Sequence, residues 1–189
     1  MLEIELKFPV QSFEAIEHIL QEWKASCERE RTDKDSYFNA PDRDFAQTDE
    51  ALRVRCIGTN NFVTYKGPKT DPQSKTRQEI EVPLGDGLRT AQDFQQMLQL
   101  LGYRFVETVQ KKRTVYHLTR NGFRMEICLD AVVGLGRFVE LEILAPENQL
   151  ESARTVLQET AAALQLQGNE RRSYLEMLLT NKQSDKVTR

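Results

Sequence analysis

Apolar and polar residues alternate from the start of the chain, where Leu2, Ile4, Leu6 and Phe8 are interleaved with Glu3, Glu5 and Lys7. Alternation of this kind sends successive side chains to opposite faces of a strand. The pattern predicts strands over residues 2–8, 27–38, 51–57, 62–66, 77–84, 103–118, 122–130 and 138–144. Turn-forming residues separate several of them: GTNN at 58–61, KGPKTDPQ at 66–73, and RNG at 120–122, which is a tight hairpin signal.

Elsewhere the helical period replaces the alternation. Phe13, Ile16, Ile19, Leu20 and Trp23 form one apolar stripe behind a capping Ser12. Phe94, Met97, Leu98 and Leu101 form a second over residues 90–101, which Gly102 is placed to end. Further helices are predicted over 149–166 and 173–179. The first three are one-sided, and such helices need an apolar surface to lie on.

Strands in hairpin-rich order with flanking helices predict an α+β fold, built on an eight-stranded antiparallel β-barrel that closes on itself with the helices outside. Residues 1–180 read as a single domain and 181–189 as a flexible tail. LEIELKF, a helix and a long strand are echoed by QEIEVPL at 78–84 with its own helix and strand. The echo reads either as two related halves or as chance convergence of strand patterns.

Charge changes the picture of the strand faces. Glu3, Glu5 and Lys7 share a face, as do Arg53 with Arg55, Thr64 with Lys66, and Arg77 with Glu79 and Glu81. The same holds for Lys111 with Arg113, for Arg124, Glu126 and Asp130, and for Glu140 with Glu142. A solvated outer face would explain any one strand. The helices, however, must cover the apolar faces, and this turns the charged faces of the whole set into a barrel lumen. Only the 27–38 strand carries charge on both faces. Buried charge at this density is costly without water, ions or a charged ligand. Paired carboxylates suit a divalent metal, and lysine and arginine suit phosphate oxygens. A polyphosphate carrying a metal satisfies both populations at once.

Composition narrows the partners. The chain has 189 residues, 39% hydrophobic and 29% charged, with net charge −3. It is long enough to bury a sizeable core. Slight acidity argues against a nucleic-acid partner. No apolar run approaches the roughly 20 residues of a membrane span, so a cytoplasmic protein without a membrane partner is expected, with a homodimer left open. Cys27, Cys56 and Cys128 lack CxxC spacing and read as reduced structural residues. His18 and His117 have no partner at metal spacing, no GxxxxGK[ST] loop is present, and GLG at 134–136 reads as a turn. Tyr37, Phe38 and Phe138 read as packing residues in preference to a base-stacking wall, and Ser173 and Tyr174 as a helix cap and a packing residue.

Several motifs together resemble one family. They are ExExK (Glu3, Glu5, Lys7), DSYF at 35–38, ALRVR at 51–55, TYKGP at 64–68, KKR at 111–113 and LDAVVGLGRFVELE at 129–142. Over about residues 1–179 the chain resembles the CYTH, or triphosphate tunnel metalloenzyme, superfamily, which includes class IV adenylyl cyclases, thiamine triphosphatases and inorganic tripolyphosphatases. The resemblance implies a tunnel holding Mg²⁺ or Mn²⁺, with Glu3, Glu5, Glu140, Glu142 and Asp130 as metal ligands. It implies triphosphate binding by Lys7, Arg53, Arg55, Lys66, Lys111 and Arg113, and catalytic roles for Glu5, Lys7, Lys66 and Arg113. Glu79, Glu81 and Glu126 receive no firm role. TYKGP and GLGRFVE are most similar to the class IV cyclase branch, which converts ATP to cyclic AMP and pyrophosphate. The His-Phe pair that precedes ExExK in some bacterial cyclases has no counterpart here. Hydrolysis of tripolyphosphate, thiamine triphosphate or a nucleoside triphosphate therefore stands as the alternative, and a non-catalytic polyphosphate- or nucleotide-binding module as a third reading.

Overall fold

The computed structural model describes residues 2–68 and 77–187, with side chains to residue 183. The turn expected at 66–73 falls largely outside them. The strands are β1 (Leu2–Val10), β2 (Ser26–Cys27), β3 (Arg31–Asn39), β4 (Ala51–Ile57), β5 (Asn60–Lys66), β6 (Glu79–Leu84), β7 (Arg104–Arg120), β8 (Phe123–Val132) and β9 (Gly136–Ala145). The helices are α1 (Glu14–Glu22), α2 (Phe45–Thr48), α3 (Leu88–Leu100), α4 (Leu150–Ala163) and α5 (Tyr174–Val187).

The hydrogen-bonded order is β1-β9-β8-β7-β3-β4-β5-β6, with β2 beside β7. The pairs β1–β9, β8–β9, β3–β4, β4–β5 and β5–β6 are all antiparallel, as expected. The order has two ends, so the sheet is open where the sequence predicted a closed barrel. Both end strands carry a proline, Pro9 in β1 and Pro83 in β6. Proline has no N–H to give a further neighbour and is confined to edges, which fits these strands to the ends of the order.

Contacts divide the chain into two units. The first holds Met1–Glu30, Thr70–Arg77 and Lys112–Arg171, and the second Arg31–Lys69, Gln78–Lys111 and Arg172–Arg189. In the first, the apolar positions of β1 (Ile4, Leu6, Phe8), β8 (Met125, Ile127, Leu129) and β9 (Val139, Leu141, Ile143) pack against Ile16 and Leu20 of α1 and Val156, Leu157 and Ala161 of α4. The helices therefore lie on the apolar side of these strands, and the charged residues between those positions leave on the other side. In the second unit, Phe38, Val54, Ala91 and Leu98 form a smaller core beneath α3. β1–α1 and β6–α3 thus fall in different units, each with its own core.

Local signals account for most boundaries. Asn121 and Gly122, at φ 50° and 83°, make the two-residue hairpin turn that RNG predicts. After α3, Gly102 has φ 89° and Tyr103 N–H donates to the Leu98 carbonyl at 3.0 Å, a glycine stop at the expected residue. Ser173 and Glu176 exchange side-chain to backbone hydrogen bonds of 3.1 and 2.5 Å, which caps α5. That helix continues past the predicted end at 179 to Val187. The predicted 27–38 strand is two pieces, β2 and β3. α2 was not predicted: it is a single turn, too short for a helical period to show, capped by Asp44 accepting from Ala46 N–H at 3.1 Å.

Candidate active site

In the first unit the polar residues of β1, β9 and β8 fall into cross-strand rows. Glu5 pairs with Glu142, and Glu142 with Glu126 on its other side. The adjoining row is Lys7, Glu140 and Cys128. Like charges directly opposite each other destabilise a sheet. Glu142 registers the crowding: burial pushes it up to about 8, the Glu3, Glu140 and Glu5 carboxylates add to the effect, and Arg113 opposes it. This oxygen-rich donor set fits a hard divalent cation, which Glu3, Glu5, Glu140 and Glu142 would hold.

Arg113 reaches two of these acids, Glu140 and Glu142. Its Nε and Nη2 donate to the two oxygens of Asp130 at 2.6 and 2.5 Å, and Nη2 donates to Glu140 as well. Its Nη1 lies 3.8 Å from Glu142. Burial works against the charge of Arg113, but Asp130, Cys128 and Glu140 outweigh it and hold the guanidinium well above its ordinary pKa. Asp130, an expected metal ligand, thus has both carboxylate oxygens engaged by arginine. Lys7 is fully buried, and its carbonyl accepts from Glu170 N–H at 2.7 Å. Arg77 bridges Glu3 in an isolated antiparallel contact and is buried, and its Nε has no hydrogen-bond partner. A buried guanidinium with an unanswered donor fits an anion.

The second unit holds Arg53, Arg55, Lys66 and Lys111 together with acids. Arg55 donates through Nε and Nη2 to Asp35, both at 2.7 Å. Burial would raise Asp35, but Arg55, Arg53 and Lys111 outweigh it and hold the carboxyl well below the usual carboxylate range. Arg53 is 3.6 Å from Glu79, 3.6 Å from Glu81 and 3.8 Å from Asp35, and its Nε donates to Thr64 Oγ1 at 3.3 Å. Lys66 Nζ lies 2.5 Å from Glu79. Glu79 and Glu81, which had no firm role, are therefore counter-ions to these bases. Lys111 is buried with its ammonium 5.2 Å from the centre of the Tyr174 ring.

Sequence reasoning missed four groups. Asp33 and Asp35 share one parity of β3, a signal obscured by charge on its other face. Arg77 was placed on a charged face but given no role. Cys128, read as a small hydrophobe, has the parity of Glu126 and Asp130, so its thiol lies on the polar side. Burial pushes that thiol well up, against the opposing pull of Arg113. His117, read as having no partner at metal spacing, has Nε2 2.8 Å from Glu28 and Nδ1 3.8 Å from Glu126. Glu28 lies 89 residues away in sequence, beyond any spacing rule, whereas Glu126 stands opposite His117 across the two-residue turn at Asn121 and Gly122. Phe38 does pack, edge to face with Phe105 at 5.9 Å.

The CYTH domain family matches residues 1–174. The chain belongs to the CYTH family. A Methanocaldococcus jannaschii protein named "Putative adenylate cyclase" is 36% identical over 180 residues, which covers 94% of this chain and 98% of that protein. The adenylate cyclase CyaB of Aeromonas hydrophila is 30% identical over 183 residues, covering 91% and 86%. A solved structure from Pyrococcus horikoshii superposes with TM-score 0.83 at 37% identity, covering 95% of this chain and 99% of that one. The CYTH resemblance and its adenylyl cyclase branch are thus found in the relatives. CYTH proteins generally depend on a divalent metal, in keeping with the row of Glu5, Glu142 and Glu126 in this CYTH chain. Among the described residues no helix is long and apolar enough to cross a membrane.

Proposed function

We propose that this CYTH protein is a divalent-metal-dependent adenylyl cyclase that converts ATP to cyclic AMP and pyrophosphate with Mg²⁺ or Mn²⁺. The observation that carries the reading is the row of Glu5, Glu142 and Glu126, a like-charge arrangement that a cation relieves. The names of its relatives support the choice of a cyclase.

In this reading Glu3, Glu5, Glu140 and Glu142 hold the metal. Arg53, Arg55, Lys66 and Lys111 take triphosphate oxygens, as do Lys7 and Arg113. The bound cation would neutralise phosphate charge and favour the in-line reaction. The ribose 3′-hydroxyl attacks the α-phosphorus, its proton is lost, and the bond to the β-phosphate breaks to release pyrophosphate. Arg113 adds positive charge where charge develops on phosphate, which is how such sites lower the barrier. The counter-ions Asp35, Glu79 and Glu81 hold Arg53, Arg55 and Lys66 in place until phosphate oxygens compete for them.

A product screen tests this reading. ATP, tripolyphosphate and thiamine triphosphate are each incubated with Mg²⁺ or Mn²⁺. Cyclic AMP and pyrophosphate in equal amounts from ATP are expected. Orthophosphate without cyclic AMP would make the protein a triphosphate hydrolase, and tight binding without product a polyphosphate- or nucleotide-binding module.

A further inference from the structure

Cys128 follows Glu126 by two residues on β8, so both side chains leave on the polar side, while Ile127 and Leu129 enter the apolar core. The Cys128 sulfur and one oxygen each of Glu126 and Glu142 all lie within 4.8 Å of one another. The thiol is fully buried, and no hydrogen bond to it is formed among the described residues. A buried thiol serving only as a small hydrophobe would be expected among the apolar side chains; this one is aimed at two carboxylates. The neighbouring His117 adds a second observation. Its buried Nδ1 has no hydrogen-bond partner and lies 3.8 Å from Glu126, while Nε2 is held by Glu28 at 2.8 Å.

Sulfur is a soft donor that magnesium does not seek, whereas zinc-class cations take cysteine and carboxylate together. Bonds of roughly 2.0–2.3 Å to one tetrahedral ion would set donors about 3.5 Å apart. The donors lie within 4.8 Å of one another, so binding an ion requires the side chains to close toward that spacing. Ligating carboxylates are themselves commonly oriented by a hydrogen-bonding neighbour, a place that His117 Nδ1 could take for Glu126.

We propose that Glu126, Cys128 and Glu142 form a site for one borderline divalent cation of the zinc class, with Cys128 as its sulfur ligand and His117 orienting Glu126. Coordination replaces the thiol proton, which leaves to solvent. The site shares Glu142 with the metal set of the proposed cyclase, so a zinc-class ion there competes with magnesium for that carboxylate.

Cobalt absorbance tests the site without recourse to turnover. The full-length chain carrying Cys27→Ser and Cys56→Ser, reduced and freed of metal, has Cys128 as its one thiol and is titrated with Co²⁺. A sulfur-to-cobalt charge-transfer band in the near ultraviolet is expected, saturating at one ion per chain and erased by Zn²⁺. Adding Glu126→Gln should weaken cobalt binding by more than the about tenfold that loss of a supporting partner costs. Adding Cys128→Ser should abolish the band. The proposal is overturned if the one-thiol protein shows no such band, whether cobalt fails to bind or binds through oxygen alone, or if Glu126→Gln leaves the titration unchanged. The decisive reading is made on protein that retains Cys128, so poor folding of Cys128→Ser does not affect it. Magnesium-supported ATP turnover of the same protein, assayed separately, reports on the cyclase reading and can fail independently.

Discussion

Glu142 on β9 stands directly opposite Glu5 on β1, and the opposite neighbour on its other side is Glu126 of β8. A sheet gains nothing from such a row unless a cation sits against it; burial first, and then the Glu3, Glu140 and Glu5 carboxylates, hold Glu142 above its ordinary value. Glu5→Gln removes one of the charges. It should lower metal-dependent turnover by more than the roughly 10–100-fold typical of lost metal support, while thermal melting without metal stays at or above wild type. Assays with Mg²⁺ and Mn²⁺ beside a melting curve check both halves; near-normal turnover would remove Glu5 from the metal set.

Lys66 lies 2.5 Å from Glu79, its directly opposite neighbour, and its proposed work is on phosphate. Lys66→Ala should weaken tripolyphosphate binding about tenfold or more, the equivalent of one charge-assisted hydrogen bond of about 1.5–3 kcal/mol. Binding of pyrophosphate should change much less. Calorimetry with the two anions measures the contrast, and equal losses for both would mean that Lys66 does not read the third phosphate.

Asp35 ties stability to acid pH. Its folded-state pKa lies below its ordinary value of 3.8, because Arg55, Arg53 and Lys111 outweigh the burial that would raise it. A depressed carboxyl contributes stability that is complete above the unfolded pKa and is lost as pH falls toward the folded value. Wild-type protein should therefore lose stability steadily below about pH 4, whereas Asp35→Asn should show a shallower acid loss. At neutral pH the variant should be about 3–5 kcal/mol less stable, since it leaves buried arginines short of a partner. Denaturant unfolding across this range measures both, and parallel acid losses would contradict the assignment.

Arg77 offers an unanswered Nε in a buried position, and its contact with Glu3 is a backbone bridge. Tripolyphosphate should raise the melting temperature of wild-type protein, and Arg77→Gln should lose a large part of that shift while melting normally without ligand. An unchanged shift would leave Arg77 as a purely structural cation.

Parity made much of this arrangement legible. Because a strand sends alternate residues to opposite faces, the ExExK pattern alone separated Glu3, Glu5 and Lys7 from Ile4, Leu6 and Phe8, and the packing of α1 and α4 on the apolar residues follows from it. Other features depend on which strand neighbours which. No local rule says that Glu142 faces Glu5 or that Glu28 reaches His117, whereas the two-residue turn at Asn121 and Gly122 sets Arg113 opposite Asp130 and His117 opposite Glu126. Closure was overestimated for a related reason: the alternation of β1 and β6 identifies them as strands, while Pro9 and Pro83, the residues that mark them as edges, are visible only as single positions. Cys128 is free and buried, as a reduced structural cysteine would be, and its spacing from Glu126 and Asp130 places it on the polar side of β8.

The central claim, a metal held by facing glutamates and used on ATP, is tested most directly by following ATP with Mn²⁺ by phosphorus NMR, with wild-type protein and Glu142→Gln in parallel. The account predicts growing cyclic AMP and pyrophosphate resonances for wild type, none without the cation, and none above background for the variant. Turnover that needs no divalent cation, or that is undiminished in Glu142→Gln, would contradict it.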